Sequence, residues 1–146
     1  MTSLHFALYQ STGLLACQHL VLYAQDPILK SVAPALAHWT VPQLGHHQLT
    51  QQSHSLLAEA TELPPTAYLV DRGTCTLMAG ELPPHIGQER IRLHFEGYDL
   101  RGQFALLRLR PSGSRWLFGR LQFMPDKFER GTQVAPAWPT TQTTSV

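Results

Sequence analysis

The sequence predicts a single, mainly β domain carrying one or two short flanking helices, on three observations. Its apolar residues fall in short runs of strand length, such as Phe6-Ala7-Leu8-Tyr9 and His19-Leu20-Val21-Leu22-Tyr23. Several segments in the second half alternate polar and apolar residues, as a strand with one buried face must. Turn-forming clusters such as Ser11-Thr12-Gly13, Asp71-Arg72-Gly73 and Pro111-Ser112-Gly113-Ser114 separate these runs.

Taken in order, the first two runs read as an antiparallel pair joined across Ser11-Thr12-Gly13. Ile28 to Leu36, interrupted by Pro34, is a weak helix candidate. Gln51 to Ala60 is a stronger one: it contains Leu56, Leu57 and Ala58, and Leu63-Pro64-Pro65 would end it. Ala67-Tyr68-Leu69-Val70 runs into Asp71-Arg72-Gly73 and resumes as Thr74-Cys75-Thr76-Leu77, either a second hairpin or one strand with a bulge. Arg90-Ile91-Arg92-Leu93-His94-Phe95 alternates cleanly, and residues 103–121 form a hairpin around Pro111 to Ser114. Beyond about Gly131 the chain turns to Pro, Thr and Gln with no apolar period, so a domain over residues 1–130 and a disordered tail over 131–146 are expected.

Composition bounds the function classes. At 146 residues, one domain of this size buries roughly 68–70% of its unfolded surface, so bulk stability requires no metal or disulfide. A formal charge of +1 with 43% hydrophobic residues excludes a disordered or strongly polyionic chain. The charge is uneven: Arg90 to Arg130 holds nine basic and four acidic residues, and the remainder two basic and six acidic. That basic half is either a phosphate-facing surface or a set of solvent-facing strand arginines that keeps a sheet soluble. The two cysteines, Cys17 and Cys75, form neither a C-x-x-C pair nor a secreted framework, although a disulfide between them stays open. The first residues lack a basic segment followed by an apolar one, and no run reaches membrane-span length. A reducing, cytoplasmic setting without membrane contact is therefore expected.

Several stretches, in order, resemble one family. Tyr68-Leu69-Val70-Asp71-Arg72-Gly73-Thr74 is similar to the strand and turn, ending in a W-D-R-G-T-like motif, of the 3′-phosphoesterase domain of bacterial DNA ligase D, with Val70 in place of the aromatic residue. Arg92-Leu93-His94, Asp99 to Arg108 and Arg115-Trp116-Leu117-Phe118 resemble that family's closing R-L-x-G-x-x-L-R-G-x-x-x-L-x-R … x-W-L-L segment. Leu36-Ala37-His38-Trp39-Thr40-Val41-Pro42 is similar to its L-K-S-W-A-V-P stretch, and Phe6 to Gln10 to its first strand. The resemblance covers roughly residues 4–121. It implies a compact antiparallel β-barrel flanked by short helices, and a metal-dependent enzyme that processes DNA 3′ ends in repair, beside a ligase or other repair partner.

In that family a divalent metal, typically manganese, is held by histidines and a carboxylate, polarising the phosphoryl oxygen and activating water. The resemblance sets Ser11 at the first ligand histidine, Cys17 at the second, His19 at the aspartate of an H-x-D-x-R pattern and Val21 at its arginine, so none of the four is retained. His46-His47-Gln48-Leu49 resembles the later D-H-P-L-like segment, which makes His47 or His46, with Ser11, the catalytic candidates. Cys17 and His19, two apart on a strand, face one side and, with His47, would suit a softer ion such as zinc; a small core cysteine and scattered histidines are the plainer alternative. Arg72, Arg101, Arg108 and Arg110 are the candidate nucleic-acid contacts, Arg72 being otherwise a turn arginine paired with Asp71 or solvent. Trp39 and Trp116 read as core, and His38 carries no functional expectation.

Three functions follow from this reading. They are a phosphoesterase with an altered site, a catalytically degenerate relative that binds nucleic acid, and a protein-interaction module on the same scaffold.

Overall fold

A computed structural model of the chain describes residues 2–13, 17–28, 34–41, 54–79, 90–110 and 113–124. Eight strands make it up: β1 (Thr2–Gln10), β2 (Gln18–Tyr23), β3 (Ala35–Thr40), β4 (His54–Glu59), β5 (Tyr68–Ala79), β6 (Arg90–Gly97), β7 (Arg101–Arg108) and β8 (Arg115–Arg120). They close into an antiparallel barrel in the order β1-β2-β3-β4-β8-β7-β6-β5, with β5 pairing back onto β1. The barrel implied by the resemblance is present. Among the described residues the helical structure is a short 3-10 turn, Leu121–Phe123, and no helix is long and apolar enough to cross a membrane.

Strict alternation builds the interior. Leu4, Phe6 and Leu8 of β1, Leu20 and Leu22 of β2, Trp39 of β3, Leu57 of β4, Ile91, Leu93 and Phe95 of β6, Phe104 and Leu106 of β7, and Trp116 and Phe118 of β8 form one buried cluster. An eight-stranded barrel is just wide enough for side chains to fill, and aromatic rings do so here. Phe95 meets Phe6 edge-on at 5.1 Å and Phe104 at 5.6 Å, Phe104 stacks on Phe118 at 4.9 Å, and Trp39 meets Trp116 at 6.1 Å. Two smaller clusters cover parts of the outer face: Ala105, Leu107, Leu117 and Met124 beside the 3-10 turn, and Ala7, Val21 and Tyr23 on β1 and β2.

The β1–β2 pair, the alternation of β6 and the β7–β8 hairpin are all present as expected. The segment around Asp71 is one strand with bulges: the β1–β5 register slips between Leu8 and Tyr9, leaving Val70 as the extra residue, and the β5–β6 register slips at Met78. The helix expected over Gln51 to Ala60 is corrected, because His54–Glu59 is strand β4, with Ser55 and Leu57 buried and β8 paired alongside. The three-residue apolar run Leu56-Leu57-Ala58 does not discriminate helix from strand, and the pairing partner decides. Of the weaker helix candidate, residues 29–33 lie outside the described residues, and Ala35 and Leu36 open strand β3. The tail expectation for 131–146 also lies outside them.

Candidate functional site

Residues that share the odd positions of β2 face outward. Gln18, Leu20 and Leu22 point inward, while His19 and Val21 share the outer face with Ala7 and Tyr9 of β1. Strand β3 runs beside β2 with Val21 opposite His38 and His19 opposite Thr40, so His38, one residue before the core residue Trp39, also lies on that face. The outcome is a chain of close polar contacts. Cys17 Sγ lies 3.5 Å from His19 Nε2, and His19 Nδ1 lies 3.0 Å from His38 Nε2. Both imidazoles are buried, whereas Cys17 is partly exposed.

Ser11 sits at the neck of the loop that joins β1 to β2. Its N–H donates to the Cys17 carbonyl at 2.9 Å, its Oγ donates to the same carbonyl at 3.1 Å and accepts from the Cys17 N–H at 3.0 Å, and it lies 3.6 Å from Cys17 Sγ. The Gln10 amide adds bonds to the carbonyls of Ser11 and Cys17 at 3.1 and 3.3 Å. The Ser11 hydroxyl thus holds the loop closed and fixes the Cys17 backbone.

Burial sets the charge state of the imidazoles. It lowers the His19 pKa, and it pushes that of His38 down to about 4, with the neighbouring His19 adding to the shift. A protonated imidazole loses hydration in a buried site, so both rings stay neutral near pH 7. With both imidazoles neutral, a consistent proton order has Cys17 Sγ–H donating to His19 Nε2 and His19 Nδ1–H donating to His38 Nε2. Each histidine is held in one tautomer by the next.

The metal implied by the resemblance does not fit these donors. Manganese is held mainly by oxygen ligands, and the cluster contains a thiol, two imidazoles and a hydroxyl engaged with backbone, without a carboxylate among the described residues. Zinc requires at least three protein donors, and among the described residues no three His, Cys, Asp or Glu side chains converge to hold an ion. His46 and His47 lie outside the described residues. The structure therefore brings together Ser11, Cys17 and His19, and adds His38. Alternation alone made Cys17 and His19 partners, but His38 required the β2–β3 register, which no local pattern reveals.

The four arginines expected at nucleic acid do not gather. Arg72 pairs with Asp26 at 2.9 Å. Arg101 begins β7 and donates to the Gly97 carbonyl at 3.1 Å, while Arg108 ends that strand, about 23 Å away at strand rise. Arg108 is buried: it donates to the Gly113 carbonyl at 2.6 Å, approaches Glu59 at 3.4 Å and lies 4.5 Å over the Trp116 ring. Glu59 also accepts from Trp116 Nε1 at 2.6 Å, so Arg108, Glu59 and Trp116 form one linked group at an end of the barrel. Arg110 is exposed and accepts at its carbonyl from the Gly113 N–H in the β7–β8 turn.

The residues Asp71-Arg72-Gly73-Thr74 also have architectural roles. The buried Asp71 carboxylate accepts from the N–H groups of Arg72 and Tyr98 at 2.8 Å each, of Asp99 at 3.0 Å and of Leu100 at 2.8 Å, and so caps the β6–β7 turn. A Cβ on Gly73 would collide with the Glu96 carbonyl, and Thr74 Oγ1 donates to Glu96 at 3.3 Å. A Cβ on Gly97 would strike the Phe6 ring and come within 2.9 Å of Asp71 Oδ2, so this approach admits glycine alone. Cys75 lies in the core, where burial pushes its thiol pKa up to about 12; both cysteines are free thiols. Set against models of known protein families and against curated proteins, the chain matches none.

Proposed function

We propose that this barrel is a catalytically degenerate relative of the 3′-phosphoesterase domain of DNA ligase D. In this reading it meets DNA ends or another nucleic acid in a reducing cytoplasm, in the setting of DNA repair and beside a ligase or repair partner, without metal-dependent cleavage. One observation carries the loss of cleavage. The three positions at which the resemblance expects two histidines and an aspartate converge on one face, and they hold Ser11, Cys17 and His19 in a neutral hydrogen-bonded chain. Metal-assisted phosphoryl transfer needs a cation to offset charge on the phosphoryl oxygens, and this donor set offers neither a carboxylate nor a charged imidazole to replace it.

The test is an assay of the purified chain on a primer–template ending in a 3′-phosphate or a 3′-terminal ribonucleotide, with manganese, with zinc and with chelator. No product is expected under any of the three conditions. Trimming that requires metal and is abolished by His47→Ala would overturn the proposal. Binding of the same duplex should weaken steeply between about 50 and 200 mM salt if phosphate contacts dominate; salt-independent or absent binding would favour a protein-interaction module.

A further inference from the structure

Cys17 differs from Cys75 in burial and in its polar neighbours. Cys75 is sealed in the barrel interior, whereas Cys17 is partly exposed on the outer face. A neutral imidazole nitrogen lies within reach of its sulfur at 3.5 Å, and that imidazole is held through its other nitrogen by a third group at 3.0 Å. A nucleophile, a base and an orienting residue joined in this way are the geometric signature of an activated nucleophile. The base and the orienting residue are buried, and Cys17 itself is partly exposed.

We propose that Cys17 is a base-assisted nucleophilic thiol that takes hydroperoxides as its substrate class, with His19 as the base and His38 as a positioning residue. The surroundings select the substrate. An acyl electrophile would need N–H donors for its oxyanion, and among the described residues the N–H groups of Ser11 and Cys17 are committed, that of Ser11 to the Cys17 carbonyl and that of Cys17 to Ser11 Oγ. A hydroperoxide develops its charge on the departing oxygen, where a proton carried by His19 can neutralise it. The sulfur attacks the terminal oxygen and an S–O bond forms as the O–O bond breaks. The thiol proton passes to His19 Nε2 and from there to the departing alkoxide or hydroxide, so a thiol and a hydroperoxide yield a sulfenic acid and an alcohol, or water. Cys75 is enclosed in the core, so the product stays a sulfenic acid and forms no internal disulfide. This inference is independent of the nucleic-acid reading above, and metal-dependent trimming of DNA would leave it standing.

The reduced, chelator-treated full chain is exposed to equimolar hydrogen peroxide and trapped with dimedone, and the adduct is mapped by peptide mass. Label is expected on Cys17 and not on Cys75, at a rate at least about tenfold above free cysteine at the same pH, in line with the 10²–10⁴-fold span of general-base assistance. His19→Gln should remove most of that advantage. His38→Phe should do likewise, whereas His38→Gln, whose amide oxygen can still accept from His19 Nδ1, should keep most of it; a purely structural role for His38 would not separate these two variants. Comparing the native chain with the same chain unfolded in urea requires no variant. Equal or slower reaction of native Cys17, or an unchanged rate in folded His19→Gln, would overturn the proposal.

Discussion

Replacing Asp71 by asparagine changes one atom of a buried side chain, yet it should cost a large share of the stability of the domain. Asp71 Oδ1 accepts from the N–H groups of Arg72 and Tyr98, and Oδ2 from those of Asp99 and Leu100. In Asp71→Asn one oxygen keeps two of these bonds, while the new NH2 group turns donors toward two donors. Each lost bond to a charged acceptor is worth about 1.5–3 kcal/mol. Tyr98 and Asp99 are exposed and can recover water, whereas the Leu100 N–H is buried and cannot. The net loss should be about 3 kcal/mol, or roughly 10–15 °C in Tm for a domain of this size. Urea unfolding followed by the fluorescence of buried Trp39 and Trp116 reads it directly. Asp99→Asn serves as the control, expected within about 0.5 kcal/mol of the parent because that side chain is exposed. A loss below about 1 kcal/mol for Asp71→Asn would show that the carboxylate does not clamp the β6–β7 turn.

Other perturbations have equally definite outcomes. Gly97→Ala should destabilise by about 2–3 kcal/mol in the same urea assay, since its methyl group meets Phe6 and Asp71 in a filled interior. Glu59→Ala, which strips Trp116 Nε1 of its partner and Arg108 of its counter-charge, should cost about 2 kcal/mol, less than a fully buried pair because Glu59 is partly exposed. The imidazoles set a pH dependence. Burial places the His38 pKa below its unfolded value of about 6.5, so the unfolded chain binds more protons between pH 6.5 and about 4, and stability falls as pH drops through that window. In His38→Phe that fall should be smaller when unfolding is measured at pH 7 and pH 4.

How much of this was legible in the sequence depended on whether the determining contact was local. Strand β6 alternates so strictly that its inner and outer faces were evident before any pairing was known. Strand β4 was hidden because Leu56, Leu57 and Ala58 satisfy a helix as well as a strand, and its partner β8 lies about sixty residues further along the chain. Asp71 read as part of a turn or a companion to Arg72. Its actual work is to cap a turn at Tyr98 to Leu100, a contact no local pattern can express. At the site, Cys17 and His19 were linked by the two-residue period of a strand, but His38 enters through cross-strand register. Arg108 was one of several arginines in the basic second half, and nothing local showed that the Trp116 ring and Glu59 draw it into the barrel end.

The most direct test of the central claim, that the site where metal would be held is a neutral thiol–imidazole chain, is a manganese titration of the chelator-treated full chain followed by the paramagnetic resonance of the free ion. The signal should rise with added manganese as it does in buffer, with no stoichiometric uptake up to about millimolar concentration, as expected for a donor set of thiol, imidazoles and a committed hydroxyl. One equivalent bound at micromolar concentration, and lost in both Cys17→Ser and His47→Ala, would contradict the account and restore a metal-dependent site on this face of the barrel.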